Sequence, residues 1–313
     1  MSVATDLHPL RSDTAFDPGL ASGDRLQLIR AAGPGARLEV PAGTWSLWLP
    51  LRHDLHMESA CSRWRLPRRH LLITRDAMQG HAEGPGTWLV LAGPQNAWNT
   101  VMRTIPSPPP GWLPMQAPCE RKVLRAFVRL ARLLRDDREP DACEAATLAL
   151  CTMLMEQQCA LQPLTNRCNG RTPQRRYLTL QRLLRVHHLI EHDSDNHFSL
   201  ARLARVASYS PWHLIRMYRD AFGETPSEHA ARLRLARAWS MVRESEMPVC
   251  EITERLGFES QSAFCRAFKS AYGLTTTQAR RLPATALRQI SPRPTHARPR
   301  TQHAPPLPSA RHR

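Results

Sequence analysis

The sequence predicts a multidomain α+β protein: a small β-barrel or jelly roll first, then a helical pair, then an all-α region with two helix-turn-helix units joined by a linker helix. Three observations predict it. Between Asp24 and Ile105, short apolar runs are split by Gly and Pro clusters, the mark of closely spaced strands. Between Tyr177 and Leu282, apolar residues recur at helical spacing between Ser, Thr, Pro and Gly stops. Charge is also uneven. Residues 1–170 hold 19 Lys/Arg against 16 Asp/Glu, and residues 171–313 hold 24 against 11, so most of the formal +16 lies on the helical half. Phosphate contact calls for that placement.

Residues 1–23 are polar, with Pro18-Gly19 and no pattern, and read as a flexible arm. Residues 24–105 give the runs Leu26–Ile29, Leu38–Val40, Ser46–Leu49, Leu71–Ile73 and Trp88–Leu91, with turns at Gly33-Pro34-Gly35, Pro41-Ala42-Gly43 and Gly84-Pro85-Gly86. Trp45, Trp48, Trp64 and Trp88 in this region either line an effector pocket or form the core. His53, His56, His70 and His81 lack a metal site's ordered spacing; His53-x-x-His56-x-Glu58 is their nearest cluster. No metal, cofactor or catalytic residue is expected.

Residues 106–160 begin with a Pro-rich joint, Pro106 to Pro118, and continue as two helices. Val123, Phe127, Leu130 and Leu134 line the first, opposite Arg125, Arg129, Arg132 and Arg135. The second, about Asp141 to Gln158, is apolar nearly all round and must be buried, against the barrel or a second copy of the pair. The apolar excess favours a homodimer through 119–158. Residues 161–176 read as a linker.

The all-α region, 177–282, opens with a bracing helix from Tyr177 to about His192. Ser199 caps a short helix with Leu200, Leu203, Ala204 and Ala207 on one face. After the turn Ser208-Tyr209, Ser210 caps a second helix with Pro211 at its first position and Gly223 at its end. Leu214, Met217, Tyr218 and Ala221 form its inward stripe, while Trp212, Arg216 and Arg219 emerge together. Thr225-Pro226-Ser227-Glu228 then opens a linker helix with Ala231, Leu235, Ala238 and Val242 on one face.

The second copy repeats the design. Val249, Ile252 and Leu256 form a short helix, Gly257 permits the turn, and Ser260 caps a helix ending at Gly273. Phe264, Ala267 and Phe268 point inward; Ser262, Cys265, Arg266 and Lys269 point outward, with Gln261 in the first turn. The linker length implies recognition helices about one duplex turn apart, ~34 Å, as needed to enter two successive major grooves. Residues 283–313, Arg- and Pro-rich without acids, read as a disordered basic tail.

SPWHLIRMYRDAFGETPSEHAARLRLARA followed by EITERLGFESQSAFCRAFKSAYG resembles the AraC/XylS-type DNA-binding domain. The resemblance covers about 177–282. It implies a transcription regulator with double-stranded DNA and RNA polymerase as partners, a dimer, and a cupin-like sensor domain at 24–105 taking a small-molecule effector. It places base contacts at Trp212, His213 and Arg216 in the first reading helix and at Gln261, Ser262, Ala263 and Arg266 in the second. Phosphate contacts fall to Ser210, Arg219, Ser260 and Lys269. The chain departs from the family pattern in four places. Ser208 replaces a turn Gly, Thr253 a small Ala, Thr275-Thr276-Thr277 a Pro-containing helix start, and Ala279 an aromatic.

The competing classes are a DNA-binding module fused to an alkyl-transfer repair enzyme, and a sequence-indifferent architectural binder. The first needs an activated thiolate, usually with a four-Cys zinc site. The eight Cys (61, 119, 143, 151, 159, 168, 250 and 265) include no C-x-x-C pair and read as free thiols in a reducing, cytoplasmic and nucleoid-associated setting. No apolar run is long enough to span a membrane.

Overall fold

In the computed structural model, residues 4–10, 15–16, 25–60, 62–105, 111–136, 139–192 and 199–282 are described. The chain separates into two compact units, Met1–Ser227 and Glu228–Arg313. Eleven described strands belong to the first. They are β1 (Thr5–Leu10), β2 (Ala15–Phe16), β3 (Leu26–Ala32), β4 (Arg37–Val40), β5 (Trp45–Pro50) and β6 (Leu55–Ser59), then β7 (Arg63–Leu66), β8 (His70–Thr74), β9 (Met78–His81), β10 (Thr87–Gly93) and β11 (Met115–Pro118). Its helices are α1 (Gln95–Thr104), α2 (Arg121–Arg135), α3 (Pro140–Gln158), α4 (Gln162–Arg167), α5 (Pro173–Glu191), α6 (Leu200–Ala207) and α7 (Pro211–Phe222).

The strands form two sheets, ordered β1-β3-β10-β5-β8-β11 and β2-β4-β9-β6-β7, rather than one closed barrel. The sequence of each strand records which faces are covered. β5 (WSLWLP) is buried throughout and β10 (TWLVLAG) nearly so, because the six-stranded sheet is packed on both faces. β4 and β7 alternate exposed and buried, because the second sheet has one wet face. Between the sheets lie Ile29, Leu38, Trp48, Leu55, Met57, Leu72, Trp88 and Val90. Against the outer face of the larger sheet, Leu28, Leu47, Leu71 and Leu91 meet Trp98, Phe127, Leu150 and Leu154 of α1, α2 and α3. Gly80 is required where β9 crosses Trp48, since a Cβ there would overlap the indole.

Four sequence expectations are corrected here. The first residues do not all form a loose arm: β1 pairs in parallel with β3, from Thr5 opposite Leu26 to Leu10 opposite Ala31. The Pro-rich joint contributes β11, paired with β8, because Trp112 and Leu113 are buried and hold it down. The Gln158 side chain accepts from the Leu113 N–H (3.1 Å) and donates to its carbonyl (2.7 Å). The linker contains α4, which packs on α5 and α7. The four tryptophans are core residues: Trp45, Trp48, Trp64 and Trp88 are all at most 9% exposed, because the sheets enclose them. The tail beyond 282 lies outside the described residues.

The second unit contains most of α8 (Pro226–Glu244), then α9 (Val249–Arg255), α10 (Gln261–Tyr272) and α11 (Thr276–Arg281). Leu235, Ala238 and Val242 of α8 close over Ile252, Leu256, Phe264, Phe268 and Ala279. An aromatic ladder runs Phe258, Phe264, Phe268, Tyr272, Trp239 with neighbouring centroids 4.5–5.8 Å apart. α11 forms despite its unusual start. Thr275 and Gln278 make a reciprocal capping box, and Ala279 is fully buried where an aromatic would have stood. Arg243 of α8 secures its end, donating to the carbonyls of Ala279 (2.6 Å) and Leu282 (2.5 Å). Among the described residues no helix is long and apolar enough to cross a membrane.

Candidate nucleic-acid interface

The interface residues are presented by two short-helix, turn, longer-helix segments, one in each unit. In the first, the Ser199 hydroxyl accepts from the Arg202 N–H and caps α6, and the left-handed Ser208 (φ 55°) reverses the chain. The Ser210 hydroxyl then accepts from the His213 N–H at 3.3 Å, fixing the start of α7, and Pro211 occupies a position needing no N–H donor. Left-handed Gly223 (φ 83°) ends the helix. Leu214, Met217, Tyr218 and Ala221 are buried.

On the opposite side Trp212 is 80% exposed, and His213, Arg216 and Arg219 are exposed with it. A large apolar ring that wet is costly by about 1.5–3 kcal/mol relative to burial. The His213 ring rests edge-on against Tyr209 at 4.8 Å, and Arg182 lies over the other partner of that contact, 5.7 Å from the Tyr209 centroid. Asp220, the acid nearest this face in sequence, accepts from the Asn169 amide at 3.2 Å.

The second segment repeats the chemistry. Gly257 (φ 65°) makes the turn, and the Ser260 hydroxyl accepts from the Ala263 N–H at 3.1 Å to start α10. Thr253, in place of a small residue, is buried but satisfied, its hydroxyl donating to the Val249 carbonyl at 2.7 Å. Gln261, Ser262, Arg266 and Lys269 are exposed and Ala263 is half-buried. Cys265, expected outward, instead packs half-buried against the aromatic core, because Phe264 and Phe268 turn its side of the helix inward. Each segment therefore offers Arg at the middle of the exposed face, with Trp212 and His213 at the start of α7 and Gln261 and Ser262 at the start of α10. Arg reads guanine O6/N7 in bidentate fashion, Gln reads adenine N6/N7, and an apolar ring meets the thymine methyl.

The sequence missed how α5 seats the first segment. Thr172 caps it, its hydroxyl accepting from the Arg175 N–H at 3.2 Å. On the sheet side Arg185 pairs with Asp76, the Tyr177 hydroxyl donates to the Gly111 carbonyl, and the Gln181 amide donates to the Trp112 carbonyl (3.0 Å). Its other side packs on α6 and α7, with His187 4.9 Å from the Phe222 ring. The four histidines weighed as ligands do not form a three-ligand cluster among the described residues. His56 stacks on His81 (5.2 Å) and pairs with Glu83 (3.1 Å), and burial lowers the His81 pKa, with His56 and Arg37 adding to it.

Comparison with known proteins bears on the same stretch. Residues 203–282 match the family model described as "Helix-turn-helix domain". Over 103 residues the chain is 33% identical to the right origin-binding protein of Escherichia coli strain K12, covering 33% of this chain and 36% of that protein. Over 92 residues it is 34% identical to the transcriptional regulator Rob of Salmonella typhimurium, covering 29% of this chain and 32% of that one. The chain thus spans about a third of the length of these relatives. Among solved structures, the C-terminal domain of AraT, a response regulator from Geobacillus stearothermophilus, is 31% identical over 32% of this chain and 84% of that one, with a TM-score of 0.30.

Proposed function

Because residues 203–282 carry an AraC/XylS-type helix-turn-helix domain, we propose that the protein is a sequence-specific transcription regulator that reads double-stranded DNA with α7 and α10. The observation that carries this reading is Trp212, held 80% exposed beside Arg216 and Arg219 on a helix whose other side is core. The two helices enter successive major grooves. Trp212, His213, Arg216, Gln261, Ser262, Ala263 and Arg266 meet base edges; Ser210, Arg219, Ser260 and Lys269 meet phosphate. The two sets differ in sequence, so the half-site is asymmetric.

The N-terminal part acts as a cupin-like sensor domain, α2 and α3 with their flanks (119–158) as the dimer contact, and RNA polymerase as the downstream partner in the cytoplasm. A small effector finds no room among the tryptophans. A cavity of about 290 Å³ between sheet and α2 suits it better, with Arg30, Arg52 and Arg132 around an apolar floor of Leu51, Leu89 and Val128. That lining favours a carboxylate- or phosphate-bearing molecule.

The alkyl-transfer reading needs a reactive thiolate. Burial pushes Cys151 up to about 12 and, with Glu120 adding to it at Cys119, pushes Cys119 and Cys168 up to about 11, the reverse of activation. Genome-wide mapping of bound DNA, followed by affinity for a mapped site against random duplex at fixed salt, tests the proposal. A ratio of about 10³ or more supports a regulator. A ratio near one replaces it with an architectural binder.

A further inference from the structure

The C-terminal end of α5 carries His188-x-x-Glu191-His192. Residues spaced three and four apart share one helix face, and one ligand atom from each of these three lies within 4.8 Å of the other two. Nε2 of His188 is buried without a hydrogen-bond partner, a state that is unfavourable when nothing compensates it. Trp64 of β7 walls this end of the helix, edge-on to His188 at 5.0 Å and stacked on His192 at 5.2 Å. The indole is itself held, its N–H donating to Gln116 Oε1 at 3.2 Å.

We propose that His188, Glu191 and His192 bind a divalent transition-metal ion of the zinc class. Two imidazoles and a carboxylate suit zinc, and also nickel, copper and ferrous iron, better than the hard cations calcium and magnesium. An ion about 2.0–2.2 Å from each ligand draws the three atoms to roughly 3.3–3.5 Å of one another, a contraction that side-chain rotation supplies. Glu191 now stands 3.5 Å from Nδ1 of His187 and would trade that pairing for the ion. Three protein ligands leave a coordination position for water. The ion would pin the end of α5 beside Trp64, and α5 is the helix on which α6 and α7 sit.

Untagged, metal-free full-length protein titrated with zinc by calorimetry tests this, with cobalt(II) absorption as a second readout. One ion per chain is expected, with a weak visible cobalt band of nitrogen and oxygen ligation. Glu191→Gln and His192→Ala, changes at an exposed position and at the helix end, should each lower zinc affinity by about ten-fold or more. Zinc should also raise the wild-type melting temperature dose-dependently, and less so for either variant. Three results overturn the proposal: no stoichiometric uptake, uptake undiminished by both substitutions, or an intense thiolate charge-transfer band placing the metal on cysteine.

Discussion

Ser208 and Gly257 hold the same place in two turns closed by the same pair of hydrogen bonds. The Ser208 N–H donates to the Arg205 carbonyl (3.0 Å) and the Tyr209 N–H to that of Ala204 (2.9 Å); Gly257 donates to Glu254 (2.9 Å) and Phe258 to Thr253 (3.1 Å). Both residues are left-handed, at φ 55° and 65°. Glycine adopts that conformation without penalty, whereas a residue with a Cβ loses roughly 1–2 kcal/mol. Part of the relief is offset because glycine loses more entropy on folding. Ser208→Gly is therefore expected to stabilise by roughly 0.5–1 kcal/mol, and Gly257→Ala to destabilise by about 1 kcal/mol. Urea midpoints at unchanged slope measure both; equal midpoints for Ser208→Gly and wild type would sink the account.

A buried tie holds α10 to α8. The Tyr272 hydroxyl donates to the Leu235 carbonyl at 2.9 Å, joining α10 to α8, while its ring lies 4.5 Å from Trp239. Tyr272→Phe keeps the ring contact and removes the hydrogen bond, for a loss of about 1 kcal/mol. Tyr272→Ala opens a cavity as well and should cost ~3–5 kcal/mol. Chemical denaturation of the two variants separates these contributions. A Phe variant as damaged as the Ala variant would mean the hydroxyl, not the packing, dominates.

Alkaline pH should weaken the fold. Desolvation pushes Cys151 and Tyr272 up to about 12 and Cys119 and Cys168 up to about 11, with Glu120 adding to the Cys119 shift. Below the unfolded thiol value of about 8.5, both states keep these protons and the stabilisation is complete. Above it the unfolded chain releases protons that the folded chain retains, so stability falls as pH rises toward 11–12. Melting temperatures at a series of pH values from neutral upward should decline through this window. Cys151→Val should flatten the decline; an unchanged profile in that variant removes Cys151 from the explanation.

What was legible in the chain was local. The Ser199, Ser210 and Ser260 caps, the terminal Gly223 and Gly273, and the stripes Leu214/Met217/Tyr218 and Phe264/Phe268 follow from chemistry within one or two turns, and the structure forms each of them. What failed depended on partners far along the chain. Polar Thr5–Leu10 becomes a strand only because β3 offers an edge, and Met115–Pro118 only because β8 does. The tryptophans could be lining or core until the two sheets closed over them. Arg185 with Asp76, and Trp64 with His188, join residues more than one hundred positions apart, beyond the reach of any local pattern.

The sharpest test of the interface separates reading from gripping. Arg216 is exposed one helical turn from Trp212 on α7, whereas Lys269 lies late on α10, away from the helix start where the proposed base contacts lie. If Arg216 reads a guanine, Arg216→Ala should cost ~1–3 kcal/mol at one base pair and relax preference there alone. Trp212→Ala should likewise weaken binding at a neighbouring position, and removing so exposed a ring should leave the unfolding free energy from urea denaturation within about 0.5 kcal/mol of wild type. Lys269→Ala should instead lower affinity for every sequence alike and shallow the salt dependence by about one unit. Binding to a library of single-base variants of the mapped site, repeated at two salt concentrations, measures all three. A uniform loss from Arg216→Ala across the library would reassign that side chain to phosphate and leave Trp212 to carry the reading by α7.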